Sequence, residues 1–129
     1  MKLYRIIFFF LLSIYTQQIF AQNFTLQHDN EKRRFIVHLP KGYDKTKTYP
    51  LVFNFHGLGS TAKQQRWISK MNKTANSEQF IVVYPKALDH EWNTGIHKVS
   101  YRYGRDDVGF VDQLLDTLIA RYSIDTQRV

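Results

Sequence analysis

A chain of 129 residues has room for one small domain at most. Eighteen basic residues stand against 11 acidic ones, a formal charge of +7. Apart from Lys32-Arg33-Arg34 the basic residues are scattered and form no dense stripe interleaved with aromatics, which argues against a nucleic-acid surface. The absence of cysteine excludes a disulfide framework, a zinc–thiolate centre and a cysteine nucleophile.

Lys2 and Arg5 precede the apolar run Ile6–Leu12, and a polar stretch then leads to Ile19-Phe20-Ala21. A positive start, a short apolar run and a small residue at the end describe a signal peptide, with cleavage expected after Ala21. The run is shorter than the roughly 20 residues of a membrane-spanning helix. Residues 1–21 are therefore read as a secretory leader to the extracellular space or periplasm, with no membrane insertion after cleavage. Without Lys2 and Arg5, 16 basic residues remain against 11 acidic, a net +5.

Phe24, Leu26 and His28 alternate with polar residues as in a half-buried strand. Asp29-Asn30-Glu31 reads as a turn, and Arg34–Leu39 as the returning strand of an antiparallel hairpin. Pro40–Asp44 reads as a loop, because Pro40 lacks a donor and Gly42 marks a turn. Leu51–Phe55 is apolar on both faces apart from Asn54, the pattern of a strand buried inside a parallel sheet. Ser60-Thr61 can cap a helix in which Trp67, Ile68 and Met71 share one face. Phe80–Tyr84 is a second buried strand, expected to stop at Pro85. Strand, helix and strand make a right-handed parallel unit.

Leu88–Arg105 is irregular and long for a loop. A helix then begins at Asp106-Asp107, where negative charge suits the dipole. Val111, Leu114, Leu115, Leu118, Ile119 and Tyr122 form its buried face, and Arg121 sits near its end. Ser123-Ile124-Asp125 turns the chain, and Arg128-Val129 reads as the start of a new strand. Two buried strands need helices on both faces and neighbours on both edges, more than the 108 residues after Ala21 are expected to supply. The fold class is α/β, and residues 22–129 are read as the front part of a larger α/β domain.

The stretch Leu51–His56 drives an apolar strand into His56-Gly57-Leu58-Gly59. A loop at the carboxyl end of a parallel strand is where α/β folds place ligands. Gly57 and Gly59 allow close backbone approach or a positive φ, and N–H groups released from the ladder can face an oxyanion. On these residues alone, a plain strand-to-helix turn with His56 filling space is an equal reading. Asp89, His90, Glu91 and His97 gather ligand types, but Thr94 stands where an HExxH motif needs its second histidine, so no metal site is expected there. No cofactor is expected either.

Four pieces in order add a resemblance. RRFIVHLPKGYD, YPLVFNFHGLGST, FIVVYPKA followed by EWN, and DDVGFVDQLLDTLIARYSIDTQRV resemble the secreted α/β-hydrolase esterases of the polyhydroxybutyrate depolymerase and feruloyl esterase group. The likeness spans residues 32–129. It implies an antiparallel hairpin leading into a parallel sheet with flanking helices. It also implies a serine carboxylic ester hydrolase acting on feruloyl or acetyl esters of plant polysaccharide, or on short polyesters. The backbone of Gly57, Leu58 and Gly59 would offer oxyanion donors, with Leu58 first. His56 would support the loop, and Trp92 and Asn93 would line the cleft.

No Gly-X-Ser-X-Gly occurs, and Ser60 lies in the loop with no glycine two residues after it. The nucleophile, acid and base are therefore expected beyond Val129, and this stretch alone is expected to be inactive. The rival readings are a secreted peptidase or other acyl hydrolase of the same fold, and a non-catalytic polysaccharide-binding or surface protein.

Overall fold

The computed structural model describes residues 22–95 and 104–129. Residues 1–21, read as a leader, and His97 lie outside the described residues. Among the described residues, no helix is long and apolar enough to cross a membrane.

β1 (Gln22–His28) and β2 (Glu31–His38) form the expected hairpin, paired from Gln22↔Val37 to His28↔Glu31. Asp29 and Asn30 both have positive φ, 48° and 62°, the requirement of a two-residue type I′ turn. β2 starts three residues earlier than Arg34. As a result Arg33 shares the inward face of Phe35 and Val37 and is 2 % exposed. β3 (Leu51–Phe53) pairs parallel with β4 (Ile81–Lys86), and β2 pairs antiparallel with β4, giving the order β1-β2-β4-β3.

Other strand limits differ from expectation as well. β3 ends at Phe53, because Asn54, after donating its N–H to Val83 at 2.9 Å, turns its side chain to Ser69, Met71 and Gln65. Phe55 is left part-exposed. Pro85 does not stop β4 but pairs opposite Phe35. The N–H of Ile81 and the carbonyl of Val83 face β3's side. Strand alternation puts position 85 on that same side, past the end of β3, so the donor proline lacks has no ladder partner to lose.

The connection from β3 to β4 is two helices rather than one. Thr61 caps α1 (Ala62–Ser69), its hydroxyl accepting from the Gln64 N–H, as the sequence suggested. Lys70 then adopts φ 51°, and α2 (Met71–Glu78) follows. The buried contacts of this pair are Ala62 and Ala75, whereas Trp67 and Ile68 are 76 % and 56 % exposed. The chain breaks at Lys70, and of the expected apolar face Met71 packs on the cluster around Ala62 and Ala75 while Trp67 and Ile68 do not.

α3 (Asp107–Arg121) covers the opposite face. Phe110, Leu114 and Leu118 pack on Phe35, Val37, Leu51, Ile81 and Val83, with Val111 and Leu115 only partly buried and Ile119 exposed. Ile36, Val82 and Tyr84 meet Ala62 and Ala75 on the first face. β4 is thus covered above and below by helices, which were expected to be too few. Beyond α3, Ile124 bridges Tyr49 in parallel, and the Leu51 N–H donates to the Arg128 carbonyl at 3.0 Å. Residues 123–128 therefore run along the outer edge of β3, a pairing that starts at Ile124.

The Arg33 guanidinium donates to Asp107 Oδ1 at 2.6 Å and lies 3.9 Å over the Phe110 ring. Removing one member of a buried ion pair strands the other charge. Arg33→Met should cost about 3–5 kcal/mol in urea unfolding. Arg33→Met/Asp107→Asn, which keeps an acceptor for Asn93, should recover more than half of that loss.

His38 is buried on the α2 side, its Nε2 2.9 Å from Asn76 Oδ1. Burial is the main cause that holds its pKa below the ordinary 6.5. Between the folded value and 6.5 the unfolded chain binds more protons. The stability tied to neutral His38 is therefore complete above pH 6.5 and is lost as pH falls through the folded value. Between pH 7.5 and 5.0, the wild type should lose more urea-midpoint stability than His38→Gln; equal losses would contradict this.

Candidate functional site

The loop after β3 is held by side chains from the far side of the β4 crossing. His56 is 2 % exposed. Its Nε2 accepts from the Ala87 N–H at 3.1 Å, so that nitrogen carries a lone pair. Nδ1 then holds the proton and donates to the Gly57 carbonyl at 2.8 Å. The His56 carbonyl accepts from the Trp92 indole N–H at 2.9 Å. His56 thus fixes the end of β4 and its own following residue at once, which a space-filling side chain need not do.

A second clamp comes from the 3-10 turn Leu88–His90. The Gly59 N–H donates to the His90 carbonyl at 2.9 Å, and His90 Nδ1 donates to the Ser60 carbonyl at 2.7 Å. Asp89 and His90 both have positive φ, and Arg105 holds this turn through Asp89 and the Leu88 carbonyl. The Arg105 guanidinium keeps the Asp89 carboxyl below the ordinary carboxylate range. Asp89 and His90 are thus tied to Arg105 and to the loop, and His97 lies outside the described residues.

Of the three glycine-loop candidates, Gly59 has φ +76° and its N–H is occupied by His90. The N–H groups of Gly57 and Leu58 donate to no described residue. Leu58 is well exposed, and a Cβ added at Gly57 would meet nothing within 4 Å. The positive φ is therefore at Gly59, and Gly57 is the position open to close approach. Ser60 Oγ bonds Gln64 at 3.1 Å.

Trp92 stands edge-on to Phe55, centroids 5.2 Å apart, and both line a shallow apolar depression of about 390 Å3 with Val108 and Val111. Asn93 is committed to structure: its N–H donates to Asp107 Oδ2 at 2.6 Å and its side-chain amide to the Arg105 carbonyl at 2.8 Å. Asp106 caps α3 by accepting from the Gly109 N–H at 2.8 Å. The two aspartates thus start the helix and tie down the preceding loop, as their place in the sequence suggested. Sequence reading missed Arg33, Ala87 and Arg105. For Arg33 there was a signal, its two-residue spacing from Phe35 and Val37.

Comparison with known proteins decides the family. The profile described as "Putative esterase" matches residues 27–127. The chain belongs to this esterase family. It is 32 % identical over 80 residues to the bifunctional acetylxylan esterase/xylanase XynS20E of Neocallimastix patriciarum, covering 62 % of this chain and 11 % of that protein. It is 27 % identical over 120 residues to feruloyl esterase D of Neurospora crassa, covering 84 % and 39 %. A solved ferulic acid esterase superposes with TM-score 0.59 at 26 % identity, covering 84 % of this chain and 48 % of that one. The fold is that of the α/β-hydrolase esterases, and the chain spans less than half the length of these relatives.

Ala87 is 1 % exposed, so His56→Phe leaves its N–H buried without an acceptor. That variant should lose about 1–3 kcal/mol of stability in urea unfolding. An unchanged midpoint would show that the clamp is idle.

Proposed function

We propose that this protein is a secreted serine esterase in which the His56–Gly59 loop stabilises the oxyanion. The reading rests most on one observation: the N–H groups of Gly57 and Leu58 donate to no described residue, in a loop clamped by His56 and His90. A serine, activated by a histidine, adds its oxygen to the ester carbonyl, and the carbonyl π pair moves to oxygen. The resulting oxyanion accepts from Leu58 or Gly57, and collapse expels the alcohol, protonated by the histidine. Water then releases the acid by the same two steps in the acyl-enzyme.

The nucleophile, acid and base are assigned to residues following Val129, and His56 positions the loop without touching the substrate. Trp92, beside Phe55, supplies an apolar wall for an acyl group, and Asn93 holds that wall in place. The names of the relatives favour feruloyl or acetyl esters of plant polysaccharide over polyesters. The leader at residues 1–21 is read as the secretion signal.

The direct test is activity. The full-length protein should hydrolyse p-nitrophenyl acetate and ethyl ferulate and be silenced by a serine-directed phosphonate, while residues 22–129 alone should not exceed buffer. Phosphonate-sensitive turnover by that stretch would return the nucleophile to Ser60.

Two glycines separate catalysis from folding. At Gly57 a side chain meets open space, so Gly57→Val should leave the urea midpoint nearly unchanged and lower kcat by about 10²-fold or more. Gly42 has φ +73°, so Gly42→Val should cost stability and leave kcat per folded molecule intact. Comparable kcat losses would make the His-Gly turn structural.

A further inference from the structure

The β1–β2 turn carries a second group of ligand-type side chains, away from the glycine loop in sequence. One ligand atom each of His28, Asp29 and Asp106 lies within 4.8 Å of the others. The orientation of the imidazole is set from behind. The Gln113 side-chain amide donates to the Gln27 carbonyl at 3.2 Å, which turns Oε1 toward His28 Nδ1 at 2.7 Å. An amide oxygen only accepts, so Nδ1 carries a proton and Nε2 is left to face the turn.

Nε2 is buried and has no hydrogen-bond partner. Asp106 Oδ2 lies 3.4 Å from it and Asp29 Oδ2 3.7 Å. A buried nitrogen facing two carboxylates calls for positive charge there, either a proton on Nε2 or a bound cation. Arg33 and Arg105 also line this cavity, and their guanidinium groups pair with Asp107 and Asp89. Glu31 adds a further carboxylate to the same cavity, which measures about 490 Å3.

We propose that His28 Nε2 and the carboxylates of Asp29 and Asp106 bind a divalent transition-metal ion, with Zn2+ the best fit. Tetrahedral bonds of about 2.0–2.2 Å place ligand atoms about 3.3–3.6 Å apart, close to the two separations observed. A ring nitrogen that donates to a carbonyl oxygen while the other binds metal is the arrangement zinc-bound histidines use. Asp106 caps α3 through Oδ1 and so has Oδ2 to give. A Cβ at Gly109 would lie 2.0 Å from that Oδ2, so glycine there is what admits the carboxylate. The fourth position opens on the cavity and suits a water. The ion would tie the hairpin turn to the start of α3, next to the Asp107 anchor of the Asn93 loop.

The full-length protein, stripped with EDTA and dialysed against Zn2+, should retain one equivalent by elemental analysis and gain thermal stability. His28→Gln and Asp29→Asn should each weaken retention at least tenfold and abolish the gain. Asp29→Asn guards against misfolding, because asparagine adopts the left-handed turn conformation at φ 48° as readily as aspartate. A wild type that retains no Zn2+, or variants that retain it as tightly, would overturn the site. So would a wild type whose His28 keeps both ring nitrogens protonated by 15N NMR in the presence of Zn2+, since an imidazolium ion pair would then fill the role.

Discussion

The hydrogen bond from the Ala87 N–H to His56 Nε2 is the contact on which the rest of the loop depends. β3 and β4 run parallel only as far as the Asn54 donation to Val83, and beyond that point no ladder holds the chain. A strand end that leaves its sheet would ordinarily be free to move. Here the imidazole bridges the gap, and because one ring nitrogen must accept from Ala87, the other must donate to Gly57. A single buried side chain therefore sets both the position of the loop and the direction in which its first carbonyl points. The N–H groups of Gly59 and Ser60 are taken by the His90 and Gly57 carbonyls, and those of Gly57 and Leu58 donate to no described residue.

The second support is electrostatic and comes from β2, at the same end of the sheet, where Arg34 pairs with Lys86. Asp107 receives Arg33 from β2 on one oxygen and the Asn93 N–H on the other. The start of α3, the hairpin and the segment that carries Trp92 are joined at one buried carboxylate. Trp92 in turn donates to the His56 carbonyl, so the two supports meet. The proposed oxyanion role requires this sort of bracing, since donors that must reorganise during a reaction lose much of their effect.

Much of this was legible in the sequence where the signal is local. Alternation in Phe24–His28, the Asp29-Asn30 turn, the Thr61 cap and the aspartates at the head of α3 each carry their own physics within a few residues. The glycine loop was legible as a feature, and the resemblance gave it a reading. What failed was contextual. Trp67 and Ile68 look like a buried face until Lys70 breaks the helix, and Pro85 looks like a stop until β3 proves too short to need its donor. Arg33 reads as one of three basic surface residues because its partner lies 74 positions away. Ala87 could not have been found at all, since a backbone N–H carries no side-chain signal.

The most direct measurement is a crystal structure of the full-length protein after reaction with a serine-directed phosphonate, whose phosphoryl oxygen mimics the oxyanion. That oxygen is expected about 2.7–3.1 Å from the N–H of Leu58 or Gly57, with the His56 and His90 contacts unchanged. An adduct whose phosphoryl oxygen is bound elsewhere, with the Gly57 and Leu58 N–H groups still facing solvent, would contradict the assignment of this loop as the oxyanion site.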